Sequence, residues 1–540
     1  MSSAHHTVIG EDSGSDLGQK RRDALAELDT AKFSRFHVKL CFVAGIGFFT
    51  DAYDLFSISI VATMLGYVYS PQNASTLGIN QDFGIKVAAP MGNLVGQLLF
   101  GWLADVLGRK KMYGVELMIM IVATFGQTIS TDSRGLGVSI TGVIVVWRFI
   151  LGIGVGGDYP LSSVIASEFA STRIRGRLMT AVFAFQGWGN LASAIVSVIT
   201  ILAFRTHIVN DSESFRAIDR AWRLIIGLGI VPACIALYFR LTIPETPRFT
   251  MDIERNIIQA SEDVDNVLSH RDFYVDEQAL PAHADVPKAS RRDFVRYFRQ
   301  RDNLKTLFGT AWSWFSIDIA FYGLGFNSSS IIQTVIFPGS PQAQTGQERY
   351  STLRTVAIGN IILAFGGLIP GYWFSFFTID TWGRKPIQFI GFAMLTILFL
   401  IMCVGYDAIN RTKPGQRAFV FLYCLANFFQ NWGPNTTTFI VPGEAFPTRY
   451  RSTAHGISAA SGKLGAVVTQ ILFAYLRNVS VFSDNSTNLR IVFGIFAVFM
   501  FTGIGSTLLI PETKGKTLEE LSNEDQDGFF RYVLREFLMS

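Results

Sequence analysis

A dozen runs of about twenty mostly apolar residues with few charges recur along this 540-residue chain, and no other feature limits its fold as tightly. A hydrocarbon core roughly 30 Å thick takes a helix of about 20 apolar residues. A soluble protein could bury one such run, but hardly a dozen. In a bilayer only helices and closed barrels satisfy every backbone group. Barrel strands alternate apolar and polar, and these runs do not. Charged residues make up only 16% of the chain, against about 25% in a soluble domain, and Phe alone supplies 47 residues. The fold class expected is an all-α membrane protein.

The spans fall near 38–62, 85–106, 113–130, 138–168, 178–203, 222–243, 303–335, 352–378, 386–405, 417–441, 452–478 and 489–511. The stretch 244–302 is rich in Glu, Asp, Arg and Lys and reads as a solvated central loop with some amphipathic helix. It divides six spans (38–243) from six (303–511), leaving tails at 1–37 and 512–540. The N-terminal tail has no apolar stretch of signal-peptide type, so the first span is expected to serve as its own insertion signal. Arg109, Lys110 and Lys111 follow span 2; Arg173, Arg175 and Arg177 follow span 4; Arg384 and Lys385 follow span 8; Arg449 and Arg451 follow span 10. The loop 63–84 carries no Lys or Arg. Basic residues concentrate on the cytoplasmic side, which puts both termini and the central loop there. The loop 204–221 is an exception, with Arg205, Arg216 and Arg220 set against Asp211, Glu213 and Asp219. Cys41, Cys234, Cys403 and Cys424 all lie within spans and form neither a disulfide framework nor a metal-ligand pattern. A net charge of +4 gives no reason to expect nucleic acid.

The two halves repeat each other. Gly101, Asp105, Gly108, Arg109 and Lys110 after span 2 match Asp380, Gly383, Arg384 and Lys385 after span 8. Glu168, Arg173, Ile174 and Arg175 after span 4 match Glu444, Arg449, Tyr450 and Arg451 after span 10. Two six-helix halves with a site between them suit alternating access. These Gly/Asp/Gly-Arg-Lys loops resemble the signature of the major facilitator superfamily. Pro244–Glu245–Thr246–Pro247–Arg248 and Pro511–Glu512–Thr513–Lys514–Gly515–Lys516 resemble the ends of the halves in its sugar-porter-like branch. The sequence is most similar to the fungal and plant phosphate:proton symporters, through the segment Gly45–Phe56 with Asp51 and Asp54, through Gly156–Ser162 with Asp158 and Tyr159, and through Gly433–Thr437 and Ser461–Lys463. The resemblance runs from about residue 35 to 522. It implies a twelve-helix importer of inorganic phosphate, coupled to protons, in the plasma membrane, with no cofactor and no metal.

Charged residues inside spans cost about 2.5–3.5 kcal/mol on insertion scales and are therefore the first candidates. Asp51 and Asp54 share a face of span 1 and read as proton carriers, or as a pair held by Arg148. Asp158 and Tyr159 precede Pro160, which removes a helix hydrogen bond and bends the helix; a polar pair at such a break can face a cavity. At these positions the resemblance implies a carboxylate in proton transfer and a tyrosine in contact with phosphate. Gly152, Gly154 and Gly157 satisfy a G-x-G-x-x-G pattern, but a dinucleotide loop needs a strand before it; here the glycines allow close helix approach.

Trp314, Asp318 and Tyr322 stand four apart on one face of span 7. The two aromatic residues offer N–H and O–H donors to an anion, and Asp318 offers an acceptor. Gln186 and Asn435 would add amide donors, an assignment that leans on the resemblance; Asn431 is a weaker candidate. Lys463 lies in span 11 away from the basic loops and needs a partner: phosphate, or Asp318 in the empty site. Glu116 reads as a relay or as a structural pair. Asp105, Arg109, Asp380 and Arg384 read as gate and stability elements that touch no substrate.

An ionised carboxylate repels an anion, so dihydrogen phosphate should bind when Asp318 is protonated or when a phosphate proton bridges the two. Sulfate has no such proton to offer, and the same acid would reject it. The rival readings are a glycerophosphodiester carrier and a transporter that doubles as a receptor. A sugar porter would need no lysine in its pocket. No nucleophile–base constellation suggests an enzyme.

Overall fold

The computed structural model describes residues 26–27, 29–70, 77–132, 138–210, 215–241, 245–250, 290–336, 345–478 and 485–522. Among them there are helices and turns but no sheet. Helix α1 (Arg35–Tyr69) leads to α2 (Ile79–Leu107), α3 (Arg109–Ile129), α4 (Ile140–Phe169) and α5 (Arg175–Ala203). The sixth passage is made of α6 (Arg216–Gly227) and α7 (Ile230–Arg240). A short helix α8 (Arg291–Arg299) precedes α9 (Arg301–Ile336). The eighth passage joins α10 (Gly346–Leu363), a π-helical turn (Ala364–Leu368) and α11 (Ile369–Trp382). Then come α12 (Arg384–Val404), the broken tenth passage α13 (Lys413–Asn431) and α14 (Pro434–Ala445), α15 (Arg451–Asn478) and α16 (Asn485–Thr507). A last short helix, α17 (Leu518–Leu521), follows.

Ten of these passages are long and apolar enough to cross a membrane. The two that fall short are α9, which carries Asp318, and the α13–α14 passage, which breaks around Trp432 and Gly433. Polar site residues lower the hydropathy of the passages that hold them, so the hydropathy signal is weakest where function is densest. The dozen spans read from the sequence each find a helical passage. Large apolar side chains such as Phe125, Ile199, Phe377, Val404 and Phe501 face outward, as a lipid-facing surface requires.

Glycines let the helices meet. A Cβ on Gly152 or Gly156 of α4 would strike the α2 backbone at Ala89 or Asn93, and one on Gly154 would strike α3 at Glu116. The G-x-G-x-x-G pattern is thus a packing stripe. Helix α4 runs unbroken through Pro160, so the interruption expected there is absent. It occurs instead at Gly433, with Pro434 opening the next helix, where proline's missing N–H costs nothing.

The repeat read in the sequence is present atom by atom. Gly108 and Gly383 both have positive φ, 101° and 99°, a conformation that glycine adopts freely. Each starts a helix whose first amides are capped by a carboxylate from the end of its own half. Glu245 accepts from Lys110 N at 3.0 Å, and Glu512 accepts from Arg384 N at 3.1 Å and Lys385 N at 2.9 Å. A carboxylate there also suits the positive end of the helix dipole.

Candidate functional site

Six of the predicted binding residues meet midway along the passages, between the two halves. Lys463 on α15 donates from Nζ to Asp318 Oδ2 on α9 at 2.7 Å. The ammonium also lies 4.5 Å from the Tyr322 ring centre, 4.7 Å from Tyr159 and 5.9 Å from Trp314. Aromatic faces attract a cation at such distances, so Lys463 is held by one carboxylate and three rings. Tyr159 Oη lies 3.3 Å from Tyr322 Oη across the halves and accepts from Gln186 Nε2 at 2.6 Å. Tyr159, Trp314, Asp318, Tyr322 and Lys463 are each about 1% exposed.

Asn435 joins through a residue that the sequence reading missed. Tyr372 on α11 donates to Gln186 Oε1 at 3.0 Å and accepts from Asn435 Nδ2 at 3.0 Å. Asn435 also donates to Asn431 Oδ1 at 2.7 Å, one turn back across the helix break. Tyr372 lies in the first turn of α11, which follows directly on the π-helical turn Ala364–Leu368, a local widening often found at functional sites. Its sequence context, an aromatic run with Trp373 and Phe374, hides it among lipid-facing rings. His455 was missed too. It packs edge-on to Trp314 at 5.3 Å, and its Nε2 lies 3.1 Å from the Phe439 carbonyl.

The carboxylates of the N-terminal half form a second group beside this one. Asp158 accepts from Ser162 Oγ at 2.5 Å and pairs with Arg240 at 2.6 Å. Arg240 also pairs with Glu116 and lies over the Tyr113 ring at 3.9 Å. The sequence reading overlooked Arg240 because it stands last in its helix, where a basic residue reads as a topology signal. Asp54 accepts from Thr124 at 2.9 Å. Neither oxygen of the fully buried Asp51 has a hydrogen-bond partner among the described residues. Asp51 nevertheless lies within electrostatic range of Asp158, Glu116, Arg240 and Asp54, and of Tyr159 and Tyr322. Arg148 does not orient Asp51 or Asp54 through an ion pair. Its Nε donates to the Ile85 carbonyl at 2.9 Å, and Asp54 is felt only at longer range.

Both ends of this centre are closed by contacts between the halves. At the end carrying the repeated loops, Asp105 accepts from Thr453 N at 2.7 Å and Oγ1 at 2.8 Å, and Arg177 N donates to Asp380 at 2.9 Å. Glu168 pairs with Arg109 at 3.1 Å in its own half and with Arg451 at 2.7 Å in the other. Arg384 pairs with Glu444 at 2.8 Å and Asp380 at 3.0 Å. Residues beyond the repeated loops complete the latch: Asp29 bridges Arg175 and Arg248 at 3.1 Å each, and Glu519 holds Arg248 at 3.1 Å. Burial alone would raise the Glu519 carboxyl, but Arg248, Arg451 and a backbone hydrogen bond together outweigh it and hold it at about 2. At the opposite end Ser59 lies 2.9 Å from Ser328 and 2.7 Å from Ser329, and Lys86 bonds Asn327 and Asp82 at 3.0 Å each. On that side a small cleft of about 40 Å³ lies between the halves, lined by Phe56, Asn190, Ser193, Asn360 and Asn427 among others.

Residues 40–524 match the model of the family described as "Sugar (and other) transporter". The chain is 45% identical over 531 residues to the "Repressible high-affinity phosphate permease" of Neurospora crassa, covering 95% of this chain and 91% of that one. It is also 45% identical over 527 residues to the "Inorganic phosphate transporter PHO84" of Saccharomyces cerevisiae, covering 93% and 87%. The chain belongs to the inorganic phosphate transporter family of the major facilitator superfamily. A "Probable inorganic phosphate transporter 1-4" of Oryza sativa subsp. japonica is 40% identical, covering 93% of this chain and 95% of that one. Among solved structures, the proton:xylose symporter XylE superposes with a TM-score of 0.68 at 20% identity over 91% of this chain and 99% of that one; this likeness bears on the fold alone. The protein is an integral membrane transporter of this family, not an enzyme.

Proposed function

We propose that this family member imports inorganic phosphate together with protons, exposing the closed centre alternately to the two sides of the membrane. The single observation that carries this reading is the Lys463–Asp318 pair inside a ring of hydroxyl, indole and amide groups, sealed at both ends. The relatives named as phosphate carriers support it. The basic loops support a cytoplasmic placement for the Asp105 and Asp380 end, and with it cytoplasmic termini and a cytoplasmic central loop; membership of the phosphate transporter family supports residence in the plasma membrane. The boundaries proposed for the two halves are 38–243 and 303–511.

In this account Lys463 supplies the positive charge. Tyr159, Gln186, Trp314, Tyr322 and Asn435 donate to the anion's oxygens, with Tyr372 fixing Gln186 and Asn435. Asp318 occupies the lysine when the site is empty. Phosphate must displace it, and a displaced carboxylate beside an anion is tolerated only with a shared or added proton. Asp51, without a hydrogen-bond partner among the described residues, carries a further proton, and Asp158 passes it on against the Arg240–Glu116 pair. Asp54 receives protons from the Lys86 end. With more protons than anions moving inward, each net charge gains about 2.3 kcal/mol per 100 mV of membrane potential. Asp105, Arg109, Asp380 and Arg384 gate the path without touching phosphate.

The test is uptake of labelled phosphate into proteoliposomes under an imposed inward proton gradient, with and without a protonophore. Excess sulfate and glycerophosphodiester serve as competitors. Uptake that collapses with the gradient and ignores both competitors is expected. Competition by the glycerophosphodiester would instead assign the pocket to an organic phosphate, and uptake indifferent to the gradient would remove the proton.

A further inference from the structure

Five arginines at the repeated-loop end are spoken for: Arg109, Arg175, Arg248, Arg384 and Arg451 are all buried to about 1% exposure or less within ion pairs. Helix α8 and the first turns of α9 differ. Arg291, Arg292, Arg299, Arg301 and Lys305 are exposed there. On the same stretch Val295, Leu304 and Phe308 are exposed to 55%, 53% and 54%. The opposite face is committed to protein. Phe294, Tyr297 and Phe298 pack on Phe446, Tyr450 and Ala454, and Asp293 takes Arg449 at 2.9 Å and Tyr450 Oη at 2.7 Å. Tyr297 Oη donates to the Ser522 carbonyl at 2.5 Å. The helix is thus clamped to the mouth of the transporter, with basic and apolar side chains turned away from it together.

We propose that α8 and the start of α9 form a docking surface for anionic lipid headgroups of the adjoining leaflet. The arginines and Lys305 would meet the headgroups, while Val295, Leu304 and Phe308 enter the boundary below them. Charge complementarity argues for this occupant, since juxtamembrane clusters of four to eight basic residues are drawn to anionic lipid. The mix of side chains argues for it as well: a basic helix with bulky apolar neighbours lies in an interface, whereas a soluble phosphate ligand would have no use for exposed Val295, Leu304 and Phe308. The surface is fixed to the membrane by the span that follows it, α9. The inference needs only that this chain is an integral membrane protein and does not depend on its substrate or on proton coupling.

Native mass spectrometry of the full-length protein, released from bilayers of mixed phosphatidylcholine and phosphatidylserine, tests it. The wild type is expected to retain phosphatidylserine preferentially, and R291Q/R292Q/R299Q to lose at least about tenfold of that preference. The exposed arginines of the opposite end supply a control, R216Q/R220Q, expected to retain it. Binding should weaken at high salt and persist against excess soluble inositol phosphate. Equal retention by the triple variant and the wild type would overturn the proposal, as would displacement by the soluble phosphate. Gradient-driven uptake measured on the same preparations separates this from failure of the transport reading, because lipid retention is read without transport.

Discussion

Removing one member of the buried Lys463–Asp318 pair leaves a bare charge behind, at a cost of about 3–5 kcal/mol. Lys463→Met and Asp318→Asn should each lower the thermal denaturation midpoint in detergent. The double variant carries neither charge, so it should recover most of that stability while remaining unable to import phosphate. A double variant as unstable as either single one would show that the pair does not hold the site together. Tyr372→Phe removes a donor from Gln186 and an acceptor from Asn435. At about 1 kcal/mol per hydrogen bond, half-saturation for phosphate should rise by about fivefold or more with expression unchanged. An unaltered value would exclude Tyr372 from the pocket. Span 7 was legible in the sequence because Asp318 stands out against an apolar background and fixes which face matters. Tyr372 was not, because an uncharged ring among other rings carries no such mark. Arg240 looked like one more basic residue at a helix end, and only packing reveals that Asp158 and Glu116 converge on it.

Helix α1 meets the Arg240 cluster through a residue with no side chain. A Cβ on Gly47 would collide with the Arg240 guanidinium and the Asp158 carboxylate. Gly47→Ala should therefore force the pair apart or push α1 outward, reducing gradient-driven uptake far more than the half-saturation for phosphate, since Gly47 lies on the carboxylate side. Uptake at wild-type rates would mean that α1 does not bear on that pair. At this scale the sequence was informative wherever spacing repeats. The matched glycines, arginines and glutamates of the loops located Gly108 and Gly383, whose positive φ and carboxylate caps the structure displays. Proline was a poorer guide. Pro160 lies inside a continuous helix while Pro434 starts one, directly after Gly433. The central stretch read as loop does contain an amphipathic helix, α8; residues 251–289 and the N-terminal tail up to residue 25 lie outside the described residues.

Across the whole molecule, both mouths are closed at once, so transport requires the two sets of contacts to break in turn. The Ser59–Ser328 contact offers a direct handle, with its hydroxyls 2.9 Å apart. Ser59→Cys/Ser328→Cys should stop uptake when oxidised and regain it on reduction; uptake indifferent to oxidation would mean that this end need not open. The Glu519–Arg248 pair of the opposite latch should be insensitive to physiological pH. The folded-state value for Glu519, about 2, lies below its ordinary 4.5. Its contribution is therefore complete above about 4.5 and is lost only as pH falls toward 2. Glu519→Gln should destabilise the protein equally across about pH 5–8; a loss that changes over that range would mean that the Glu519 carboxyl is not held low by Arg248. Twelve passages and their division by a charged stretch could be read from hydropathy, but their closure at both ends could not, because it depends on pairs such as Glu168–Arg451 that are far apart in the chain.

The central claim is that phosphate moves with protons through the Asp318 carboxyl. Its most direct test is labelled phosphate uptake in proteoliposomes under an inward proton gradient, comparing the wild type with Asp318→Asn at matched amounts of folded protein. The account predicts that the gradient accelerates uptake in the wild type and has no effect in the variant. Full gradient-driven uptake by Asp318→Asn would contradict it.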